Sequence, residues 1–299
     1  MRIATAESPP LSVAELNIQL SDRIAPSDYK RLMNVVYESC GIQLNDSKKL
    51  MVETRLRKRL RATGARTFRE YWNLLNEDEK REGEWIRFIN AITTNKTDFF
   101  REPVHFDYLV KRLLPDLGPR LKAERRPLLV WSAGCSSGKE AYTLAMVLSE
   151  CQSAGTIPGF SILGTDISSD VLKQGRRAVY QEADIEPIPE PLRKKYLLRS
   201  RGQTTPTFRM MPEIRALVTF ERLNFMDESY AVAEPFDIIF CRNVIIYFDR
   251  ATQQQVVSRF WACLRNGGYL FTGHSETLNG LATGLSNVAP TIYQKRHAA

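Results

Sequence analysis

A glycine turn, SAGCSSGKE at residues 132–140, places Gly134 and Gly138 between an apolar run and a helical pattern. Such a turn lets the backbone at a helix N-terminus approach a small ligand closely. It is not a phosphate-binding P-loop, because three residues separate the glycines and Glu140 follows Lys139 where Ser or Thr is required. The GxGxxG spacing of dinucleotide folds is also absent. An acid at position 140 repels a triphosphate and suits an amino-bearing, cationic ligand. Asp166 closes the next apolar run, where a carboxylate can accept hydrogen bonds from both ribose hydroxyls. Its plainer role is to cap the helix that starts at Ser168. Asn224 and Asn243 end the following two runs, and an amide offers both donor and acceptor to an adenine edge or an amino-acid group. Glu140, Asp166, Asn224 and Asn243 therefore converge on one crevice. A ligand that joins adenine, ribose and a cationic amino acid, S-adenosylmethionine, fits those polar types better than NAD or ATP.

The elements that must hold these residues follow from periodicity. From Pro26 to about Ile92 the pattern is helical, with helices over 27–40, 47–62, 67–76 and 82–93. Tyr29, Leu32, Val36 and Cys40 share one face, and Leu56, Leu60, Trp72, Leu75, Trp85, Phe88, Ile89 and Ile92 are further core candidates. Asp46 or Ser47 is positioned to cap the second helix. Beyond Arg101 strands alternate with helices: strands at 128–133, 161–166, 217–224, 236–243, 267–275 and 291–296, helices at 138–151, 168–176 and 251–265. That alternation predicts a mostly parallel, doubly wound α/β sheet with its ligand crevice at the carboxyl ends of the strands. The stretch 187–216 breaks the rhythm with PIPEP, RKKY and a Gly-Gln-Thr-Thr-Pro turn, and reads as a small inserted β-excursion.

At 299 residues the chain has room for two domains. It has no apolar run of membrane-spanning length and no secretory h-region, so residues 1–23 are expected to be a disordered leader. Five scattered cysteines and three histidines argue against a disulfide framework and a metal site, and suit a reducing cytoplasm. The net charge is +8, and residues 44–69 alone carry nine Lys or Arg against Asp46 and Glu53. Such a block favours an acidic partner.

Four motifs, TTNKTDFFRE, SAGCSSGKEAY, FCRNVIIYFD and GHSE (273–276), make the chain similar to the chemotaxis receptor methyltransferases, the CheR family. The similarity spans about residues 26–296. It implies a class I methyltransferase domain over 94–299, a helical receptor-docking domain over 24–93, and a β-subdomain inserted at about 190–216. It implies methylation of glutamates on chemoreceptor signalling helices, with S-adenosylmethionine consumed and S-adenosylhomocysteine released. By the same resemblance Asn95, Thr97, Arg101, Glu140, Asp166, Asn224, Phe225, Arg242 and Asn243 surround the cofactor, beside the turn at Gly134. Arg101 and Tyr247 fall at the methyl-transfer centre.

Lys48, Arg55 and Arg59, spaced by seven and four, share a helix face and are the expected receptor-docking cations. The resemblance places the protein in the cytoplasm, recruited to membrane receptor arrays without inserting into the bilayer, and nothing in the sequence demands more than a monomer. In some family members the β-subdomain binds a receptor C-terminal peptide. Here the turn carries only Gly202, and Pro206 stands where a second glycine is expected. His274 reads as structural, and Cys135 and Cys241 lack a partner base. Two rivals remain. A nucleic-acid methyltransferase would need a proline-containing turn where CRNVIIY stands, and a non-catalytic cofactor sensor would have no use for Arg101, Asn243 and Tyr247.

Overall fold

The computed structural model describes residues 23–76, 81–202 and 204–296; all of the expected leader except Arg23 lies outside them. The chain divides into two compact units, one of residues up to Glu38 with Leu44–Thr93, the other of Ser39–Gln43 with Thr94 onward.

The smaller unit is helical: α1 (Pro26–Cys40), α2 (Lys49–Thr63), α3 (Phe68–Asn76) and α4 (Arg81–Ile92). Tyr29, Leu32, Val36, Val52, Leu56, Leu60, Tyr71, Leu75, Phe88, Ile89 and Ile92 are buried, as the helical period requires. A 3₁₀ turn at Asp46–Lys48 precedes α2, and neither Asp46 nor Ser47 caps it; the Ser47 hydroxyl donates instead to Asn45 Oδ1 at 2.6 Å. Gly64 ends α2 in the left-handed region at φ 76°. Cys40 is buried with its face but falls in the larger unit with Ser39–Gln43.

Two of the three expected docking cations are occupied inside this unit. Arg55 Nη1 donates to the carbonyls of Ile92 and Thr93 at 2.9 and 2.8 Å, satisfying the C-terminal end of α4. Arg59 forks onto Glu84 through Nε at 2.9 Å and Nη2 at 2.6 Å, and the Tyr71 hydroxyl donates to the same carboxylate at 2.8 Å. Burial works against the Glu84 charge, but the Arg59 and Tyr71 hydrogen bonds outweigh it and hold the carboxyl below its usual range. Truncating Arg59 to Ala strands a buried carboxylate, and we expect a loss of about 3 kcal/mol, the lower end for a broken buried pair. Urea denaturation reads that loss; Lys48→Ala, at an exposed site, should leave the midpoint within error.

In the larger unit seven strands form one sheet among the described residues, in the order β6-β2-β1-β7-β8-β10-β9. They are β1 (Leu128–Ala133), β2 (Phe160–Asp166), β6 (Val218–Arg222), β7 (Phe236–Cys241), β8 (Leu264–Thr272), β9 (Leu285–Ala289) and β10 (Ile292–Lys295). The first five are parallel, and β10 runs antiparallel to both β8 and β9. The chain leaves β1 in one direction to β2 and β6, then returns to its other side at β7. That reversal opens a crevice at the carboxyl ends of β1 and β7.

Alternate residues along each strand face different cores. Val130, Ile238 and Phe240 join the cluster that holds the helix α7 (Lys139–Ser153), while Trp131, Ile239 and Cys241 join Val256, Val257 and Phe260 of a second helix, Arg250–Cys263. Both faces are therefore covered, which explains strands that read as unbroken apolar runs.

Two features were not anticipated. Helices at Val104–Tyr108 and Leu114–Ala123, joined by a π-turn at Leu109–Leu113, precede β1, and β9 pairs with β10 at the sheet edge. The excursion is a separate three-stranded sheet, β3-β5-β4, of β3 (Val179–Gln181), β4 (Leu197–Arg199) and β5 (Thr207–Met210). It begins about ten residues earlier than expected.

Candidate active site

The first wall of the crevice is the turn between β1 and α7. Gly134, Ser136 and Gly138 all sit at positive φ (79°, 51° and 82°), so the chain turns sharply before α7 starts. A Cβ on Gly134 would collide with Val244 Cγ2, so that glycine also lets the turn meet the loop after β7. The N–H groups of Gly134 and Cys135 donate to Thr165 O at 2.7 and 2.8 Å, tying the turn to the end of β2. Asp166 does not cap the helix Ser169–Arg177, whose N-cap is Ser168; one of its oxygens accepts from Ser168 N at 2.9 Å and the other from Ser136 N at 2.9 Å. A carboxylate has about four acceptor sites, and with N–H groups of Ser168, Ser136 and Ile167 on it Asp166 keeps about one for a ligand hydroxyl. Burial pushes the Asp166 carboxyl above its usual range, and the Ser168, Ser136 and Ile167 N–H groups oppose that shift.

The centre of the site is a buried arginine between two acids. Arg242 Nη1 lies 3.4 Å from Glu140 Oε2 and its Nη2 3.1 Å from Glu102 Oε2, with only 2% of the Arg242 side chain exposed. Its Nη2 also donates to the backbone carbonyl of Arg101, and the guanidinium lies over the Phe106 ring. Glu140 Oε1 accepts from the Ser132 hydroxyl at 2.7 Å. Burial drives the Glu140 carboxyl above its usual range; Arg242 and Ser132 oppose this without cancelling it. Glu102 goes the other way: burial opposes its charge, but Arg242, the His274 N–H and the Asn243 amide outweigh it.

Arg101 is half-buried, with Nη1 3.3 Å from Lys96 O, and is flanked by Phe100 and Glu102 at positive φ. The Asn95 carbonyl accepts from the Ser136 hydroxyl at 2.7 Å, which brings the segment holding Asn95, Thr97 and Arg101 to the glycine turn. Asn243 is left-handed at φ 59°, and its amide lies 3.4 Å from Glu102 Oε1. Tyr247 ends a 3₁₀ turn at Ile245–Tyr247; its carbonyl accepts from Gln43 N at 2.8 Å, and its hydroxyl has no hydrogen bond among the described residues. Asn224 and Phe225 lie farther along the rim and are engaged locally. Asn224 Nδ2 donates to Ser39 O at 2.7 Å and its Oδ1 accepts from Met226 N at 3.1 Å, while Phe225 packs with Tyr230, Phe248 and Phe260.

Sequence reasoning missed three groups. Glu102 stands in the TTNKTDFFRE motif with no role assigned to it, yet it pairs with Arg242. Glu276, the last residue of GHSE, is a buried carboxylate, although only the neighbouring His274 drew attention. His105 shares a hydrogen bond with Thr291 at 2.9 Å, and burial, with help from Arg242, lowers its pKa to about 4. Potential ligand atoms of Glu102, His105 and His274 lie within 4.8 Å of one another. A dication there would face the Arg242 guanidinium across the same carboxylate, so the trio reads as a charge cluster around Glu102, with His105 Nδ1 3.5 Å and His274 Nε2 4.0 Å from its Oε2. Burial raises the Cys135 and Cys241 thiols well above their ordinary value, which leaves neither as a nucleophile.

The fit to S-adenosylmethionine rests on this set: an anionic or protonatable Glu140 for an ammonium, Asp166 with about one acceptor site left for a hydroxyl, and amide groups on the same rim. Comparison with known families agrees. Residues 95–293 match the model of the CheR methyltransferase SAM-binding domain, and residues 27–93 that of the CheR methyltransferase all-alpha domain. The chemotaxis protein methyltransferase of Borreliella burgdorferi is 40% identical over 92% of this chain and 96% of its own length. That of Escherichia coli is 39% identical over 95% of this chain and 96% of its own. Chemotaxis protein methyltransferase 2 of Pseudomonas aeruginosa is 38% identical over 89% and 92%. With both of its units matched and the cofactor chemistry in place, the chain belongs to the CheR methyltransferase family and is an S-adenosylmethionine-dependent methyltransferase of chemotaxis.

Proposed function

We propose that the rim transfers the methyl group to glutamate side chains on the cytoplasmic signalling helices of membrane chemoreceptors. The observation that carries this reading is the setting of Arg101 and Tyr247. A guanidinium that reaches Lys96 O from a backbone held by Arg242, and a hydroxyl with no hydrogen bond among the described residues, suit an incoming carboxylate. Bound at Glu140 and Asp166, S-adenosylmethionine supplies a methyl carbon on a sulfonium: its C–S bond breaks as a C–O bond forms, S-adenosylhomocysteine leaves, and no proton moves.

A glutamate acceptor is already ionised at neutral pH, so no general base is required. Arg101 anchors the acceptor carboxylate or that of the cofactor, and Tyr247 orients it. Asn243 and Asn224 contribute amides to the cofactor side. The charges of sulfonium and carboxylate annihilate during transfer, so excluding water favours the step. Holding the pair in line supplies roughly 7–11 kcal/mol in favourable cases. The test is transfer of labelled methyl to receptor signalling domains, followed by treatment at high pH. An ester label is released; a label that resists base would point to an amine and overturn the reading.

Docking is assigned to the exposed cations of the helical unit. Arg55 and Arg59 serve the unit internally, so the exposed cations Lys48, Lys58, Arg61 and Arg66 are the better candidates to meet an acidic helix. Association with receptor should weaken steeply between low and high salt because exposed charges are screened. A rate of methylation at limiting receptor that ignores ionic strength would remove these cations from recognition. Such docking would bring the enzyme to membrane receptor arrays; among the described residues, no helix is long and apolar enough to cross a membrane.

The edge strand β4 is the candidate site for a receptor C-terminal peptide. Pro206 precedes β5, and the closing bond from Ser200 N to Thr207 O at 2.8 Å forms without it, so the proline removes no ladder donor.

A further inference from the structure

We infer that Glu276 is a positioning residue for methyl transfer: its buried carboxylate holds the backbone that carries Asn243 and Tyr247. The inference rests on the methyl-transfer reading of the rim and adds a residue to it. Glu276 Oε1 accepts from Val244 N at 2.8 Å and Ile246 N at 3.1 Å; its Oε2 accepts from Asn243 N at 2.7 Å and Gly273 N at 2.6 Å. About four acceptor sites exist on a carboxylate, and backbone N–H groups fill all of them. Glu276 therefore neither binds substrate nor moves a proton.

The loop after β7 explains why an acid is needed there. Asn243 is left-handed at φ 59°, and the bend that follows turns successive N–H groups inward, away from any strand partner. Such a concave set of N–H groups is an anion site. Here the chain supplies its own anion from the loop after β8. The backbone of Glu276 is fixed in turn: its N–H donates to Gly273 O at 2.8 Å, and its carbonyl accepts from the Thr272 hydroxyl at 2.7 Å. Gly273 gives an independent sign of the same junction. A Cβ there would lie 2.7 Å from Asn243 Nδ2, 2.8 Å from Glu276 Oε2 and 2.9 Å from Asn243 N. The two loops approach so closely that only glycine fits. Asn243 Nδ2 then reaches Glu102, and the 3₁₀ turn that begins at Ile245 delivers Tyr247 to the rim.

Glu276→Gln keeps the size but turns an amide NH₂ toward two of the four N–H groups. Glu276→Asp keeps the charge but shortens the reach, and Gly273→Ala presses on the same junction from the other side. Each is purified and assayed below its unfolding transition. We expect kcat for receptor methylation to fall about 100-fold in Glu276→Gln, the loss a 1 Å misplacement brings. KM for receptor should stay within threefold, and Glu276→Asp should recover part of the rate. Amide exchange over 243–247 should rise at least tenfold in Glu276→Gln, a readout that needs no substrate. Unchanged exchange overturns the inference. So does a kcat within threefold of wild type in the folded variants, or failure of all three to fold, which would make Glu276 purely structural. A wild type that methylates no receptor would sink the substrate assignment instead, and the exchange measurement would still decide the role of Glu276.

Discussion

Replacing Arg242 with Met is expected to destabilise the protein by roughly 3–5 kcal/mol at neutral pH and to abolish tight cofactor binding. The methionine fills similar space, so the loss is electrostatic. Wild-type Arg242 is 2% exposed and faces Glu102 and Glu140, each 12% exposed. Without it two poorly solvated carboxylates confront each other across the crevice. Both pKa values should then rise above their unfolded values, and the native state holds more protons than the unfolded chain over that window. Stability then falls as pH rises through it. In wild type, Glu102 is depressed, so its contribution is present above the unfolded value and lost on acidification. Only the first effect falls in the window from pH 8 to pH 5, so the deficit of the variant is largest at pH 7–8 and shrinks towards pH 5; the Glu102 contribution is lost only below the unfolded value of about 4.3. Urea midpoints at the two pH values measure it. A deficit that is constant with pH would mean that Arg242 acts by packing on Phe106 rather than by charge.

That arrangement was only half legible in the sequence. Strands such as LLVWSA and FDIIFC announce themselves because both faces of a central parallel sheet are buried, and the residues just beyond them, Gly134 and Arg242-Asn243, mark the rim. The acid pairs are different. Glu102 and Arg242 are separated by 140 positions, and no local pattern tells which buried charge meets which. Arg55 and Arg59 do share a helix face, but periodicity cannot reveal that Ile92, Thr93 and Glu84 consume them. The helical stretch before β1 was hidden by its prolines: Pro115 sits in the first turn of its helix, where proline is tolerated, but Pro119 lies inside it, and the π-turn at Leu109–Leu113 disturbs the apolar spacing. Strand β9 is short and only half-buried, so it has no clean alternation to detect. The excursion starts early because Ala178, at φ 52°, ends a helix and β3 follows with only three residues. In each case the missing information is long-range pairing or an element too short to show a period.

Removing the charge of Glu140 should weaken S-adenosylmethionine binding by roughly 10- to 150-fold, the 1.5–3 kcal/mol of a charge-assisted hydrogen bond. Glu140→Gln preserves the shape and the contact with Ser132, so the fold should survive. The stronger signature is in pH. Burial raises the Glu140 carboxyl in the free enzyme, more than Arg242 and Ser132 lower it. An ammonium placed beside it favours the carboxylate and lowers its pKa, so binding should expel a proton wherever Glu140 is partly protonated beforehand. Affinity in wild type should then drop as pH falls through the raised pKa of Glu140, by up to about tenfold per unit. Below pH 7 the ligand's own ammonium stays charged and adds no slope of its own. Calorimetry in buffers of different ionisation enthalpy counts the protons. Wild type should release up to one per bound ligand in this window, and Glu140→Gln fewer, with a flatter affinity profile. Equal proton release in the two proteins would place the ammonium elsewhere, and with it the orientation of the cofactor on the rim.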